Sequence, residues 1–270
     1  MQVGAMRVDA ISDGTFVVHP KYFGDGVPDD ARPEVFGRDN LAWLPIGCFL
    51  IRTGDRTVLV DAGLGPDQDE LPHGMRLVGG QLFVGLGALG VGAADITDVV
   101  ITHFHTDHVG WLFDLASEPV FPNATIWYGA ADWDYFVNGP GDIRPHIRDG
   151  FLTNADRQHP LTHDTTVTPG ITAVLTPGHT PGHLSVSLAS SNESLILLGD
   201  AITCPIQLAE PTWHSYGDLD PSTADRTRQR LWDQLRTIPG VGAHFPALAG
   251  GQVSPPGQWI AQTVKVDGWP

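Results

Sequence analysis

The segment Val99-Val100-Ile101-Thr102-His103-Phe104-His105-Thr106-Asp107-His108-Val109-Gly110-Trp111 runs from a β-branched apolar stretch into three histidines and an aspartate. With 12 histidines in 270 residues, random matches to H-x-H-x-D-H are expected on the order of a few thousandths of a time, so the pattern asks for a chemical reason. Alternation along an extended chain puts His103 and His105 on one side, where both imidazoles can reach one cation. Asp107 and His108 fall where the chain turns and can face a second.

The other candidate ligands each follow a short apolar run. Val60 leads into Asp61-Ala62-Gly63, Leu175 into Thr176-Pro177-Gly178-His179, Leu198 into Gly199-Asp200, and Ala243 into His244. Strands ending this way on one rim would gather neutral imidazoles and carboxylates, the donor set of borderline divalent metals, zinc foremost, with iron, manganese or cobalt as alternatives. Adjoining glycines let the backbone approach such a site closely.

The elements that must position these residues are legible as short apolar runs at 48–52, 57–60, 99–102, 124–128, 171–175, 184–188, 195–198 and 241–243, which predict strands. Helical patterning is clearest over 223–237, opened by Asp220-Pro221-Ser222 and closed by Pro239-Gly240, and helices are also expected at 130–137 and 82–91. The two classes interleave without strict alternation, which predicts an α/β (α+β) layered fold. Three stretches rich in Pro, Gly and Asp, 19–44, 63–80 and 138–158, read as long lid or binding loops. A weak strand-like run is expected around 260–266.

Composition narrows the function. With 41% apolar residues, 32 glycines and 22 prolines, the chain can bury a full core yet must turn often, and a single domain over 1–270 is expected. Asp and Glu outnumber Lys and Arg 31 to 15, a formal charge of −16 that repels polyanions and disfavours nucleic acid as a partner. No run suits a membrane span or a signal peptide, so a cytoplasmic protein with no membrane partner is expected. Cys48 and Cys204 lack C-x-x-C spacing and read as buried thiols.

The H-x-H-x-D-H at 103–108, the Thr-Pro-Gly-His-Thr-Pro-Gly-His at 176–183, the Gly-Asp at 199–200 and the late His244 resemble the metallo-β-lactamase superfamily, in order over most of the chain. The resemblance implies a four-layer αββα sandwich with a dinuclear metal site at one sheet edge. Carried over position by position, His103, His105 and His179 would bind one metal, and Asp107, His108 and His244 the other. Asp200 would bridge them, Asp61 would orient a ligand imidazole, and His183 would support its loop rather than bind metal. Two such cations would acidify a bridging water to hydroxide near neutral pH and polarise a substrate carbonyl or phosphoryl oxygen. Asp107 is additionally expected to carry a proton to the leaving group.

That superfamily spans several hydrolases and some iron oxygenases, so ligands alone do not choose a reaction. The motifs are similar to those of N-acyl homoserine lactonases, with one departure: those enzymes carry a tyrosine three residues after the bridging aspartate, where this chain has Thr203. Few basic residues follow Arg236, which counts against a glyoxalase II-like thioesterase that must hold glutathione carboxylates. Trp111, Thr203, Trp213 and Phe23 are the expected substrate-pocket residues, with Tyr22, Trp43 and Tyr216 as further aromatics near the motifs. The expected function is hydrolysis of an ester or lactone in a small, mostly apolar molecule, with phosphotriesterase and thioesterase as alternatives and an iron oxygenase or a non-catalytic binding module as competing classes. A homodimer is a further expectation.

Overall fold

The computed structural model describes residues 1–37, 39–254 and 258–261. Among these, the first sheet is built from Gln2–Val3 (β1), Met6–Val18 (β2), Ala42–Thr53 (β3), Arg56–Val60 (β4), Gln68–Glu70 (β5), Arg76–Val78 (β6), Asp98–Val100 (β7), Thr125–Gly129 (β8) and Gln158–Leu161 (β9). Its order is β5-β6-β2-β3-β4-β7-β8-β9, with β1 paired to β2. The second sheet takes Thr165–Thr168 (β10), Ile171–Leu175 (β11), Leu184–Ser190 (β12), Glu193–Leu197 (β13), Gly240–Val241 (β14), Gly251–Ser254 (β15) and Gln258–Ala261 (β16), ordered as numbered.

The period-2 alternation of β3 shows why the layers stack. Phe49 and Ile51 face the second sheet, where they pack with Ile171, Val186 and Leu188; Cys48 and Leu50 face the opposite way, toward Leu82 and Leu86 of the helix Leu82–Ala88. Each such fully buried aliphatic side chain contributes roughly 1.5–3 kcal/mol. Phe151 of the helix Pro145–Thr153 joins the same outer cluster. On the far side, the helix Pro221–Leu235 buries Leu231 and Leu235 against the second sheet, and its N-cap Asp220 accepts from Thr223 N. Helices outside two facing sheets make the αββα sandwich.

Parallel pairing fixes where the functional loops emerge. β4 runs parallel to β7, so Asp61 and the 103–108 segment leave the first sheet at the same edge. β13 runs parallel to β14, which delivers Asp200 and His244 together from the second.

The structure departs from the sequence reading in several places. The long strand β2 was not anticipated, because Asp9, Ser12 and Asp13 interrupt its apolar pattern and a register shift falls between Ser12 and Gly14. Stretch 63–80 is not simply a loop: it forms the β5–β6 hairpin, whose inner strand pairs with β2. Stretch 138–158 holds the helix Pro145–Thr153, opened by its proline at the first position. The helix at 130–137 begins as an α-turn and continues as a five-residue π-turn over Trp133–Val137. The expected terminal strand starts inside β16, and its part beyond Ala261 lies outside the described residues. Both cysteines are buried and unpaired with each other. No helix among the described residues is long and apolar enough to cross a membrane.

Candidate metal centre

Three groups of side chains converge at the shared edge. The ligand atoms of His103, His105 and His179 lie within 4.8 Å of one another, as do those of Asp107, His108 and His244, and those of His103, His108 and Asp200. In the first triad His105 Nδ1 is 3.0 Å from both His103 Nε2 and His179 Nε2. Burial, and then the neighbouring His179, holds the His105 imidazole down at a pKa of about 3, and burial, with the neighbouring His108, likewise pushes His103 well below the usual imidazole range, so these two rings meet a cation as free lone pairs.

The second triad is charged differently. His244 Nε2 sits 3.3 Å from both Asp107 Oδ2 and Asp200 Oδ2, and His108 Nε2 is 3.7 Å from both Asp107 Oδ2 and Asp200 Oδ1. Burial pulls the His108 pKa down, yet Asp61, Asp107 and Asp200 together lift it to about 9. Burial likewise favours the neutral form of Asp107, but His108 and His244 outweigh it and lower its pKa to about 2. Asp200 reaches both triads, with Oδ2 also 3.6 Å from His179 Nε2.

The residues fit a pair of divalent cations. His108 Nε2 and Asp200 Oδ1 are buried without any hydrogen-bond partner, an arrangement that costs free energy unless another group satisfies them. Both point into the space the triads enclose.

The imidazoles of His108, His179 and His244 are held from behind. The His108 Nδ1 is 2.9 Å from Asp61 Oδ2, and the same carboxylate accepts from Thr102 N and Thr102 Oγ1. Asp61 takes a left-handed backbone at φ 62°, uncommon for a residue with a side chain, to face that way. His179 Nδ1 lies 2.9 Å from Asp218 Oδ1, and Asp218 in turn pairs with the buried Arg228 at 2.9 Å. His244 Nδ1 lies 2.7 Å from the Pro45 carbonyl. These contacts set tautomer and ring orientation.

His183 is placed as a support: its Nε2 accepts from Asp200 N at 3.0 Å while Nδ1 meets Thr176 Oγ1 at 2.8 Å. Gly199, at φ 55°, makes this possible, since a Cβ there would lie 2.7 Å from His183 Nε2. Asp132 ties the two ligand loops together, accepting from Phe104 N, Thr180 Oγ1 and Gly182 N. Asp218 and Asp132 were missed by the sequence reading; neither sits in a motif, and only folding brings them to the ligands.

The cavity over this centre has a volume of about 200 Å³ and is lined by Phe16, Tyr22, Leu71, Leu77, Asp142 and Tyr216, with His105, Asp107, Asp200 and His244 at its floor. Phe16 packs edge-on against the His244 ring at 5.1 Å. Larger hollows open elsewhere on the surface, one of about 430 Å³, but among the described residues the metal-binding groups gather only here.

The expected pocket residues are corrected by this geometry. Trp111 does not line the cavity: its indole N–H donates to Asp13 Oδ1 and its ring packs on Phe83. Phe23 and Trp213 pair with each other at 5.7 Å in the adjoining apolar cluster instead of facing the floor. Thr203 is fully buried behind the wall, with its N–H on Gln207 Oε1 and its hydroxyl on Ser215. In each case a nearby buried partner claims the side chain, which proximity to a motif cannot reveal. Tyr22 and Tyr216 do line the cavity, whereas Trp43 is exposed on the surface.

Two facing sheets with imidazoles and carboxylates collected at one edge define the metallo-β-lactamase fold. The sequence model of the metallo-beta-lactamase superfamily matches residues 41–236, and the chain belongs to that superfamily. Among solved structures it is similar to AidC, a dizinc quorum-quenching lactonase in complex with the product N-hexanoyl-L-homoserine, with a TM-score of 0.86 and 25% identity over 98% of this chain and 97% of that one. It shares its fold with the hydrolase AbOPH, at a TM-score of 0.82 and 23% identity over 98% and 97% of the two chains. An N-acyl homoserine lactonase of Bacillus cereus is 25% identical over 174 residues, 59% of this chain and 64% of that protein. The cytochrome P450 monooxygenase mpaDE of Penicillium roqueforti is 31% identical over 145 residues, where the match covers 47% of this chain and 15% of the fungal protein. These likenesses support a metal-dependent hydrolase.

Proposed function

We propose that the chain is a dinuclear metal-dependent hydrolase that opens an ester or lactone bond in a small, neutral, largely apolar substrate. The supporting observation is two ligand triads joined by Asp200 beneath a cavity walled by Phe16, Tyr22, Leu71 and Leu77. His103, His105 and His179 would hold one cation, Asp107, His108 and His244 the other, and Asp200 would touch both. Nitrogen and carboxylate donors in this mixture suit zinc best.

When bound, the cations would supply Lewis acidity and a water acid enough to attack near neutral pH. The chain's own residues do the rest. Asp61, Thr102, Asp218 and the Pro45 carbonyl fix the imidazoles so that no reorganisation is needed during reaction. Asp107, at the cavity floor, can take up a proton and return it to a leaving alkoxide. The apolar wall excludes competing water.

Charge argues for the substrate class. Among the described residues lining the cavity there is no Lys or Arg to meet an anionic substrate, and Asp142 at its margin would repel one. A glutathione thioester is disfavoured on this ground, and a neutral lactone, ester or phosphotriester is accommodated. N-acyl homoserine lactones, the substrates indicated by the names of several relatives, fall within that class.

The test is a panel of lactones, simple esters, paraoxon-like triesters, thioesters and β-lactams offered to zinc-reconstituted protein. Turnover of lactones or esters is expected. Turnover confined to thioesters or β-lactams overturns the assignment.

A further inference from the structure

Tyr22 stands out among the cavity residues because its hydroxyl ends a run of buried hydroxyls. Thr203 Oγ1 donates to Ser215 Oγ at 3.4 Å, and Ser215 Oγ donates to the Tyr22 hydroxyl at 2.6 Å. A phenol oxygen that accepts in this way still has its own O–H to give. Among the described residues no protein acceptor takes that proton, and the side chain lines the space above Asp107, Asp200 and His244.

The other hydroxyls of the cavity are differently employed. Thr106 Oγ1 spends its proton on Asp69 Oδ2 at 2.9 Å, and Tyr216 is 62% exposed at the margin. Tyr22, at 5% exposure, is the buried neutral donor.

Its position is held firmly. Tyr22 lies in the short turn Pro20–Phe23, its N–H donates to the His19 carbonyl, and its own carbonyl accepts from Tyr216 N at 2.7 Å. Phe16 and Phe23 pack edge-on against its ring, each at 5.1 Å. A donor fixed before the ligand arrives costs little to use.

We infer that the Tyr22 hydroxyl donates a hydrogen bond to the acyl oxygen of the substrate and to the carboxylate of the product, with Ser215 orienting it. The inference rests on the hydrolytic reading for the word substrate, but the donor itself can be tested without turnover. A phenol, with an ordinary pKa of about 10, keeps its proton at neutral pH.

The probe is hexanoate, a simple acyl carboxylate, titrated calorimetrically into zinc-loaded wild type, Tyr22→Phe and Ser215→Ala, with metal content and melting temperature measured for each. Hexanoate affinity is expected to fall about 10-fold in Tyr22→Phe and by a smaller factor in Ser215→Ala, with metal content unchanged. Equal affinity in wild type and Tyr22→Phe overturns the inference, and so does a wild type that binds no hexanoate. Should Tyr22→Phe fail to fold, Ser215→Ala decides, and unchanged affinity there is fatal. A 10-fold loss in Tyr22→Phe beside a wild type that hydrolyses no ester or lactone keeps the donor and overturns the hydrolytic reading.

Discussion

The floor of the cavity and its wall are built on opposite plans. Every floor residue lies within a few residues after the end of a strand, Asp107 and His108 in the helical turn Thr106–Val109, and the imidazoles of His108, His179 and His244 are each held from behind by a fixed oxygen on Asp61, Asp218 or Pro45. The wall is assembled from four separate stretches, around residues 16–22, 71–77, 142 and 216, with Phe16 on β2 and Leu77 on β6 and the rest on turns and loops. What secures it is remote. Asp13, fully buried on β2, accepts from Leu64 N, Gly65 N, Gly80 N, Leu82 N and the Trp111 indole, pinning both ends of the hairpin that carries Leu71 and Leu77. Arg144 ties Asp67 and Asp69 of the same hairpin to the segment bearing Asp142. The contrast teaches that binding of metal and choice of substrate are separable here, because different buried carboxylates anchor them.

That separation can be broken experimentally. The largest effect is expected from Asp200→Ala, which removes the carboxylate that reaches both triads: elemental analysis should show lost metal, and turnover should vanish with it. Asp61→Ala and Asp218→Ala release one imidazole each and are expected to weaken metal binding about 10–100-fold in a chelator competition. A wall-type response, with KM altered and metal retained, would contradict the division.

Asp13→Ala is expected to do the reverse. It strands buried donors at a cost of about 3 kcal/mol or more, seen in urea unfolding, and raises KM while metal content stays at the wild-type level. Metal loss in a folded Asp13→Ala would show that floor and wall are one unit.

Asp132 offers a pH signature of the floor. Burial raises its carboxyl from 3.8 to about 6 despite the Gly182, Thr180 and Phe104 donors. The folded chain therefore keeps a proton that the unfolded chain releases, so this contribution is complete below about pH 4 and is lost as pH rises through about 6. In metal-free protein the Tm advantage of wild type over Asp132→Asn should shrink across that window, and a constant difference would contradict it. The smallest effect is expected for Trp111→Phe, which forfeits one hydrogen bond worth about 1 kcal/mol and leaves KM unchanged, since the ring sits behind the hairpin.

The same contrast explains what could be read from the chain alone. His103, His105, Asp107 and His108 were legible because their spacing is local and their residue types are chemically specific, His179, Asp200 and His244 from short motifs after apolar runs and from the family resemblance, and the structure brings all seven together. The strand runs at 48–52 and 171–175 were legible from β-branched apolar density, and the helix at Pro221–Leu235 from its Asp220 cap. The wall was not. Trp111 and Trp213 stand near motifs in the sequence and Phe23 in a long loop, but their partners, Asp13 and one another, are fixed by contacts between distant segments. Asp13, Asp132 and Asp218 are ordinary aspartates in sequence, and only their burial and the donors they collect mark them.

The most direct measurement is elemental analysis of purified protein after zinc loading and removal of loose metal, for wild type and Asp200→Ala. Two ions per wild-type chain, falling in the variant, is the expected result. A wild type that retains one ion or none contradicts the paired centre.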